Sequence, residues 1–181
     1  AGGTYRVAAG LRLDGRHNLI LDGHGSTIRT TGSGGSALAS PIVLSWATAN
    51  SDIWIRNFVL EGNNLRTGTS IYDPSRESQM GIDLNGGVRI EISGVTIRRT
   101  WGDAVYANEN TPSAGSAAAW PTDIWLHHNR FDPSGRTDFP SNAGRRETHA
   151  PTTIDPVAPP VPDTHHHLPP PPTDAAAHPS D

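Results

Sequence analysis

Cysteine is absent from the 181 residues, so neither a disulfide nor a thiolate metal site can hold the chain together. Lysine is absent as well: all fourteen basic residues are arginine. With 18 acidic residues the net charge is −4, which gives no electrostatic basis for binding nucleic acid or an anionic membrane. No apolar run approaches the roughly 18 residues that a membrane-spanning helix needs. Apolar residues make up only 34% of the chain, which is low for a compact globule. The chain opens Ala-Gly-Gly-Thr-Tyr, without Met or a signal-peptide pattern, and reads as a mature form or a fragment.

What is plentiful is glycine, 19 residues, and proline, 16. That excess suits short strands joined by many turns. The strand signal is clearest over residues 87–100. Ile90 and Ile92 alternate with polar neighbours, Gly94 interrupts, and Val95 and Ile97 resume the alternation. A period of two belongs to a strand with one face on a core, and the glycine bends the chain between two halves.

The same figure recurs from Ile53 to Leu60 with Asn57 at the bend, and from Ile124 to Phe131 with a histidine at the bend. A looser copy runs from Leu19 to Ile28 around Gly23-His24-Gly25. The first aliphatic residues fall at 19, 53, 90 and 124, intervals of 34, 37 and 34 residues. A further strand precedes each later copy, in Pro41 to Trp46, Met80 to Asn85 and Gly102 to Ala107.

Self-similarity at this period predicts an all-β fold, a right-handed parallel β-helix (solenoid) of about four coils over residues 1–136. Stacked coils would put Ile53, Ile55 and Leu60 over Ile90, Ile92 and Ile97, and these over Ile124, Leu126 and Phe131. Trp54 and Trp125 fall on the outward phase. Asn129 is expected inside, bonded to turn backbone. Loops Asn63 to Gln79 and Asn108 to Pro121 lie at a corner, where binding surfaces are built. Beyond residue 136 the alternation ends, and twelve of the sixteen prolines lie from Pro133 onward. Residues 137–181 are predicted to be a disordered Pro/His-rich tail.

Gly3-Thr-Tyr5, Leu21-Asp-Gly-His-Gly25-Ser-Thr-Ile28, Ile55-Arg-Asn57-Phe-Val-Leu60-Glu-Gly62 and Trp101-Gly-Asp-Ala-Val-Tyr106 together resemble the pectin-lyase-like right-handed parallel β-helix superfamily. The resemblance covers about residues 1–136. It implies a secreted or cell-surface, carbohydrate-active protein whose partner is an acidic polysaccharide, while the charge balance and the apolar pattern speak against nucleic acid and membrane as partners. The superfamily spans lyases, hydrolases, epimerases and adhesins, so fold alone does not choose among them. In its polygalacturonase branch catalysis rests on carboxylates within a Gly-Asp-Asp. Here Gly102-Asp103 is followed by Ala104, and Gly-His-Gly precedes it instead of following it, which speaks against inverting hydrolysis. Tyr72-Asp-Pro74 is similar to part of a Tyr…Asp-Pro-His element of alginate epimerases, with Ser75 in place of the histidine.

Asp83 and Asp103 occupy comparable first-strand positions, offset by about one residue. Stacked on adjacent coils, their carboxylates would share a proton or bind Ca²⁺; capping of turn backbone is the alternative. Tyr106 or His127 would shuttle protons in lyase or epimerase chemistry on a uronic acid, and an arginine would neutralise the sugar carboxylate. Asp83, Asp103 and Tyr106 are therefore the candidate catalytic set. Arg76, Arg99 and Arg130, with Trp54 and Trp125 as stacking surfaces, are the candidate binding set; the two tryptophans would otherwise rest beneath corner loops. His127 and His128, adjacent on a strand, are expected to face opposite ways and so not to share a metal. His165 to His167 would gather transition metals by composition alone. Two functions fit: a carbohydrate-active lyase-, epimerase- or hydrolase-like enzyme or its truncated remnant, or a non-catalytic glycan-binding or structural module.

Overall fold

In the computed structural model the described residues are 2–32, 39–44, 50–65, 72–109, 120–132 and 135–136, with the backbone of 145–149 and 153–154. Among them there is no α-helix, and thirteen strands account for the regular structure. The first copy of the repeat is β3 (His17–Thr30), preceded by β1 (Thr4–Val7) and β2 (Leu11–Leu13). Next come β4 (Ile42–Leu44) and β5 (Ser51–Glu61), which carry the second copy. The third copy comprises β6 (Ile82–Asn85), β7 (Val88–Ser93) and β8 (Thr96–Arg98), the fourth β9 (Val105–Asn108), β10 (Thr122–His127) and β11 (Arg130–Phe131). Two more strands follow, β12 (Arg145–His149) and β13 (Thr153–Ile154).

Every pairing between these strands is parallel, and each copy pairs with the next. In one sheet β3 pairs with β5, the first half of β5 with β7 and the second half with β8; β10 and β11 continue the two halves. The other sheet runs β2-β4-β6-β9. The registers put aliphatic residues in columns: Leu19, Ile53, Ile90 and Ile124; Leu21, Ile55, Ile92 and Leu126; Ile28, Leu60, Ile97 and Phe131. From the second sheet come Leu11, Ile42, Ile82 and Val105, and Leu13, Leu44, Leu84 and Ala107. Most of these side chains join one buried cluster. The expected alignment of Ile53, Ile55 and Leu60 with their counterparts is the observed one. Burial falls off at the start of the columns, where Leu19 and Leu21 are partly covered and Leu11 is exposed.

The bends are built by single residues in the left-handed region. Asn57, Gly94 and His128 have φ of 58°, 60° and 54° and stand level with one another. In β3 the equivalent bend holds His24 and Gly25, φ 46° and 77°, and two extra residues shift the register between Asp22 and Ser26. A second left-handed column, Asn18, Asp52, Arg89 and Asp123 (φ 53–56°), comes one residue before the first aliphatic position of each copy. Asn and Asp tolerate this conformation; Arg89 is the departure, and its guanidinium Nη2 donates to Asp52 Oδ2 at 2.7 Å.

Buried asparagines tie one copy to the next. Asn129 donates to the Ile92 carbonyl and accepts from the Val95 N–H, both at 2.9 Å, which is the structural role expected of it. Asn50 does the same between the Leu13 carbonyl and the Arg16 N–H. Pairing also passes residue 136. β12 pairs with β10, setting Glu147 beside Ile124, and β13 pairs with β11, setting Ile154 beside Phe131. The step from 124 to 147 is 23 residues, and Arg-Arg-Glu-Thr-His carries no aliphatic alternation, so this pair of strands escapes a reading based on apolar period. The rest of the predicted tail lies outside the described residues.

These columns set the outcome of two substitutions. Ile92 is fully buried, whereas Ile20 on the outward phase is 56% exposed. Ile92→Ala should lower unfolding free energy by about 2–5 kcal/mol through its cavity, and Ile20→Ala by no more than about 0.5 kcal/mol. Urea unfolding of both variants checks this, and equal losses would mean that the burial assignment is wrong.

Candidate functional site

Asp83 and Tyr106 are direct neighbours across β6 and β9. Asp103 is not their neighbour along the strand. Its carbonyl accepts the Gly81 N–H at 2.9 Å while Ala104 accepts from Ile82, so Asp103 stands level with Met80. The offset from Asp83 is three residues, about 10 Å along a strand, and not one. Gly102 explains its own place in the Gly-Asp pair: a Cβ there would lie 2.0 Å from the Glu77 carbonyl oxygen. Both aspartates are buried, Asp83 at 3% exposure and Asp103 at 0%. Burial pushes the Asp83 carboxyl up to about 7, against a smaller downward pull from its hydrogen bond with Asn85. Among the described residues no three His, Asp or Glu side chains converge to hold a metal ion, so the oxygen-ligand set that Ca²⁺ takes is not assembled by these two aspartates.

The three candidate arginines are engaged in separate places. Arg76 pairs with Asp73 at 3.3 Å and lies 4.7 Å over the Trp101 ring. Asp73 in turn accepts from the Ser75 N–H and hydroxyl at 3.0 and 2.7 Å, so the Tyr-Asp-Pro segment forms a side-chain-stabilised turn. Arg130 donates to Asp132 at 2.7 Å. Arg99 joins Arg29 and Arg98 around Glu61, with contacts of 2.6, 2.9 and 3.1 Å. The register aligns Arg29, Glu61 and Arg98 on successive strands. Burial pushes the Glu61 carboxyl up, but the hydrogen bonds from Arg29 and Arg98 and their charges outweigh it, so the net shift is downward. Three guanidiniums against one carboxylate leave a local excess of positive charge, and the arginine side chains remain 37–41% exposed.

A different group of side chains comes together on the outward face of β3, β5, β7 and β10. Ile20, Trp54, Glu91 and Trp125 form one column, and Asp22, Arg56, Ser93 and His127 form the next. Trp54 and Trp125 are two strands apart, about 10 Å, with Glu91 between them. Trp125 is 45% exposed and stacks on the His127 ring at 4.0 Å. His127 Nε2 meets Glu91 Oε1 at 3.1 Å, and the two Nδ1 atoms of His127 and His128 lie 2.8 Å apart. The expectation that these imidazoles face opposite ways fails because His128 is left-handed at the bend, which breaks the strand's alternation.

Asp22 closes the edge of this face. It accepts from the His24 N–H, from Asn57 and from Arg56, and those donors, led by the His24 amide, hold its carboxyl down at about 2. Beside it an open groove of about 440 Å³ is lined by Tyr5, Val7, Leu11, Leu21 and Phe58. The loops expected to carry the binding surface are described only over 63–65, 72–79, 108–109 and 120–121. Sequence reasoning missed Glu91 as a member of the face, although its place between Ile90 and Ile92 already put it on the outward phase.

Among known proteins, no family model, curated protein or solved structure matches this chain.

The buried Asp83 makes a pH-dependent contribution of definite sign. In the folded chain it keeps its proton up to about pH 7, against an ordinary 3.8. Between those values the folded state holds the extra proton, so stability falls as pH rises through the window and levels off above it. The loss is on the order of 4 kcal/mol at about 1.4 kcal/mol per pKa unit. Asp83→Asn should remove that contribution, gaining on its parent between pH 5 and pH 8 in urea unfolding. A constant difference across that range would show that Asp83 is charged when folded.

Proposed function

We propose that this chain is a right-handed parallel β-helix module, secreted or at the cell surface, that binds a polysaccharide on the outward face of its bent sheet without cleaving it. The observation that carries this reading is the column Trp54, Glu91, Trp125. Two indole surfaces on rigid strands, with a hydrogen-bonding carboxylate between them, suit a sugar ring, which offers an apolar face and a rim of hydroxyls. Parallel pairing of four copies at steps of 34, 37 and 34 residues, with aliphatic columns between them, supports the β-helix. The guanidinium excess around Glu61 supports acidic groups on the glycan.

The catalytic alternative has less behind it. Chemistry at Asp83 and Asp103 would require two carboxyl groups flanking a bond and open to substrate, and these two are buried and offset by three residues. Arg76, Arg99 and Arg130 are each ion-paired to a carboxylate other than these two.

Affinity electrophoresis through gels containing uronate-rich or neutral polysaccharides tests the reading. A uronate-rich gel should retard the full chain, with at least tenfold weaker retention for Trp125→Ala, or about 1.4 kcal/mol. Unchanged retention in a Trp54→Ala/Trp125→Ala variant would sink the binding face. Release of reducing ends or of unsaturated uronate absorbance would restore the enzyme.

A further inference from the structure

We infer that His127 and His128 form a two-imidazole site for a divalent transition-metal ion of the Cu²⁺ or Ni²⁺ type, with Glu91 as its positioning residue. The inference goes beyond glycan binding and does not need it. Three observations lead to it. The Nδ1 atoms are 2.8 Å apart, the far nitrogen of His127 is held by the Glu91 carboxylate at 3.1 Å, and the His127 ring is packed against Trp125.

The Glu91 contact decides the tautomer. A carboxylate only accepts, so His127 Nε2 carries the proton and Nδ1 presents its lone pair. A metal-bound histidine is usually held in this way, with its second nitrogen donating to a carboxylate. His128 then supplies the proton between the two rings. When an ion enters, that proton leaves Nδ1 for water and Nε2 of the exposed His128 ring takes one up, so the imidazole stays neutral and both Nδ1 atoms become ligands. Each ring must swing so that its lone pair points at a common centre instead of at its neighbour.

The spacing favours a geometry. Two nitrogens at about 2.0 Å from one ion are roughly 2.8 Å apart when they subtend a right angle, and roughly 3.3 Å apart at a tetrahedral angle. The present 2.8 Å is the length of the hydrogen bond between the rings. Once they swing, the right-angle span of square-planar or octahedral coordination needs no change in separation, whereas the tetrahedral span needs a widening, and water completes the shell. Imidazole suits Cu²⁺ and Ni²⁺, and Cu²⁺ stands highest in general affinity. The bend makes the site possible: left-handed His128 brings two successive side chains to one place, which no regular strand does.

The test uses the full chain carrying His165→Ala, His166→Ala and His167→Ala, so that the histidine run in the tail does not compete. Cu²⁺ is titrated against tryptophan fluorescence, which an ion beside Trp125 quenches, and the complex is examined by electron paramagnetic resonance. The expected result is one Cu²⁺ with two equivalent nitrogen couplings, bound at least tenfold more weakly in His128→Asn and about tenfold more weakly in Glu91→Gln. Asparagine tolerates positive φ, so His128→Asn removes the ligand and keeps the bend; equal melting temperatures confirm that. His127→Gln should show the same loss. Affinity within twofold of the parent in both histidine variants would place the copper elsewhere, for example at the amino terminus, and overturn the site. No quenching at all in the parent would overturn it equally.

Discussion

Parallel register between segments 23 to 40 residues apart is the constraint on which the structure rests. Among the described residues no strand runs more than six residues on either side of its bend, and none could bury an apolar face by itself. Stability comes from setting Ile53 against Ile90 and Ile90 against Ile124, and likewise down each column. A slip by one residue would turn every column outward. Left-handed residues at 57, 94 and 128 hold the two halves of each copy in phase, and buried asparagines such as Asn129 fasten the bend of one copy to the backbone of the next.

The register that buries the aliphatic residues also composes the outer surface. Residues remote in the chain but level in register become neighbours, so Glu61 meets Arg29 and Arg98, and Asp52 meets Arg89. The same rule places Trp54, Glu91 and Trp125 in line. Where charges alternate down a column, repulsion becomes attraction at no cost in new structure. The Glu61 column carries more guanidinium than carboxylate. At the bend next to Trp125, the register gives His127 a carboxylate partner and the backbone gives it His128.

Much of this was legible in period-two alternation. The buried columns, the outward phase of Trp54 and Trp125, the bends at Asn57 and Gly94 and the inward Asn129 follow from counting residues. The left-handed column at 18, 52, 89 and 123 was legible in part, because Asn and Asp recur one place before each copy. Arg89 concealed it. The strands at 145–149 and 153–154 were not legible, because Arg-Arg-Glu-Thr-His carries no period-two apolar alternation and the step from 124 to 147 is shorter than those between the earlier copies. The Asp83 and Asp103 pairing failed since similar local words, Gly-Ile-Asp and Gly-Asp-Ala, do not fix where two strands come level.

From the order of amino acids alone came which residues face inward, roughly where the chain bends and how often the pattern returns, because alternation and turn chemistry are local properties. The folded chain alone decided which polar side chains meet. An arginine finds its carboxylate, and one histidine finds another, only after distant strands have chosen a common level and a single positive φ has redirected a side chain. Contacts of that kind depend on register to within one residue, and no local pattern carries that information.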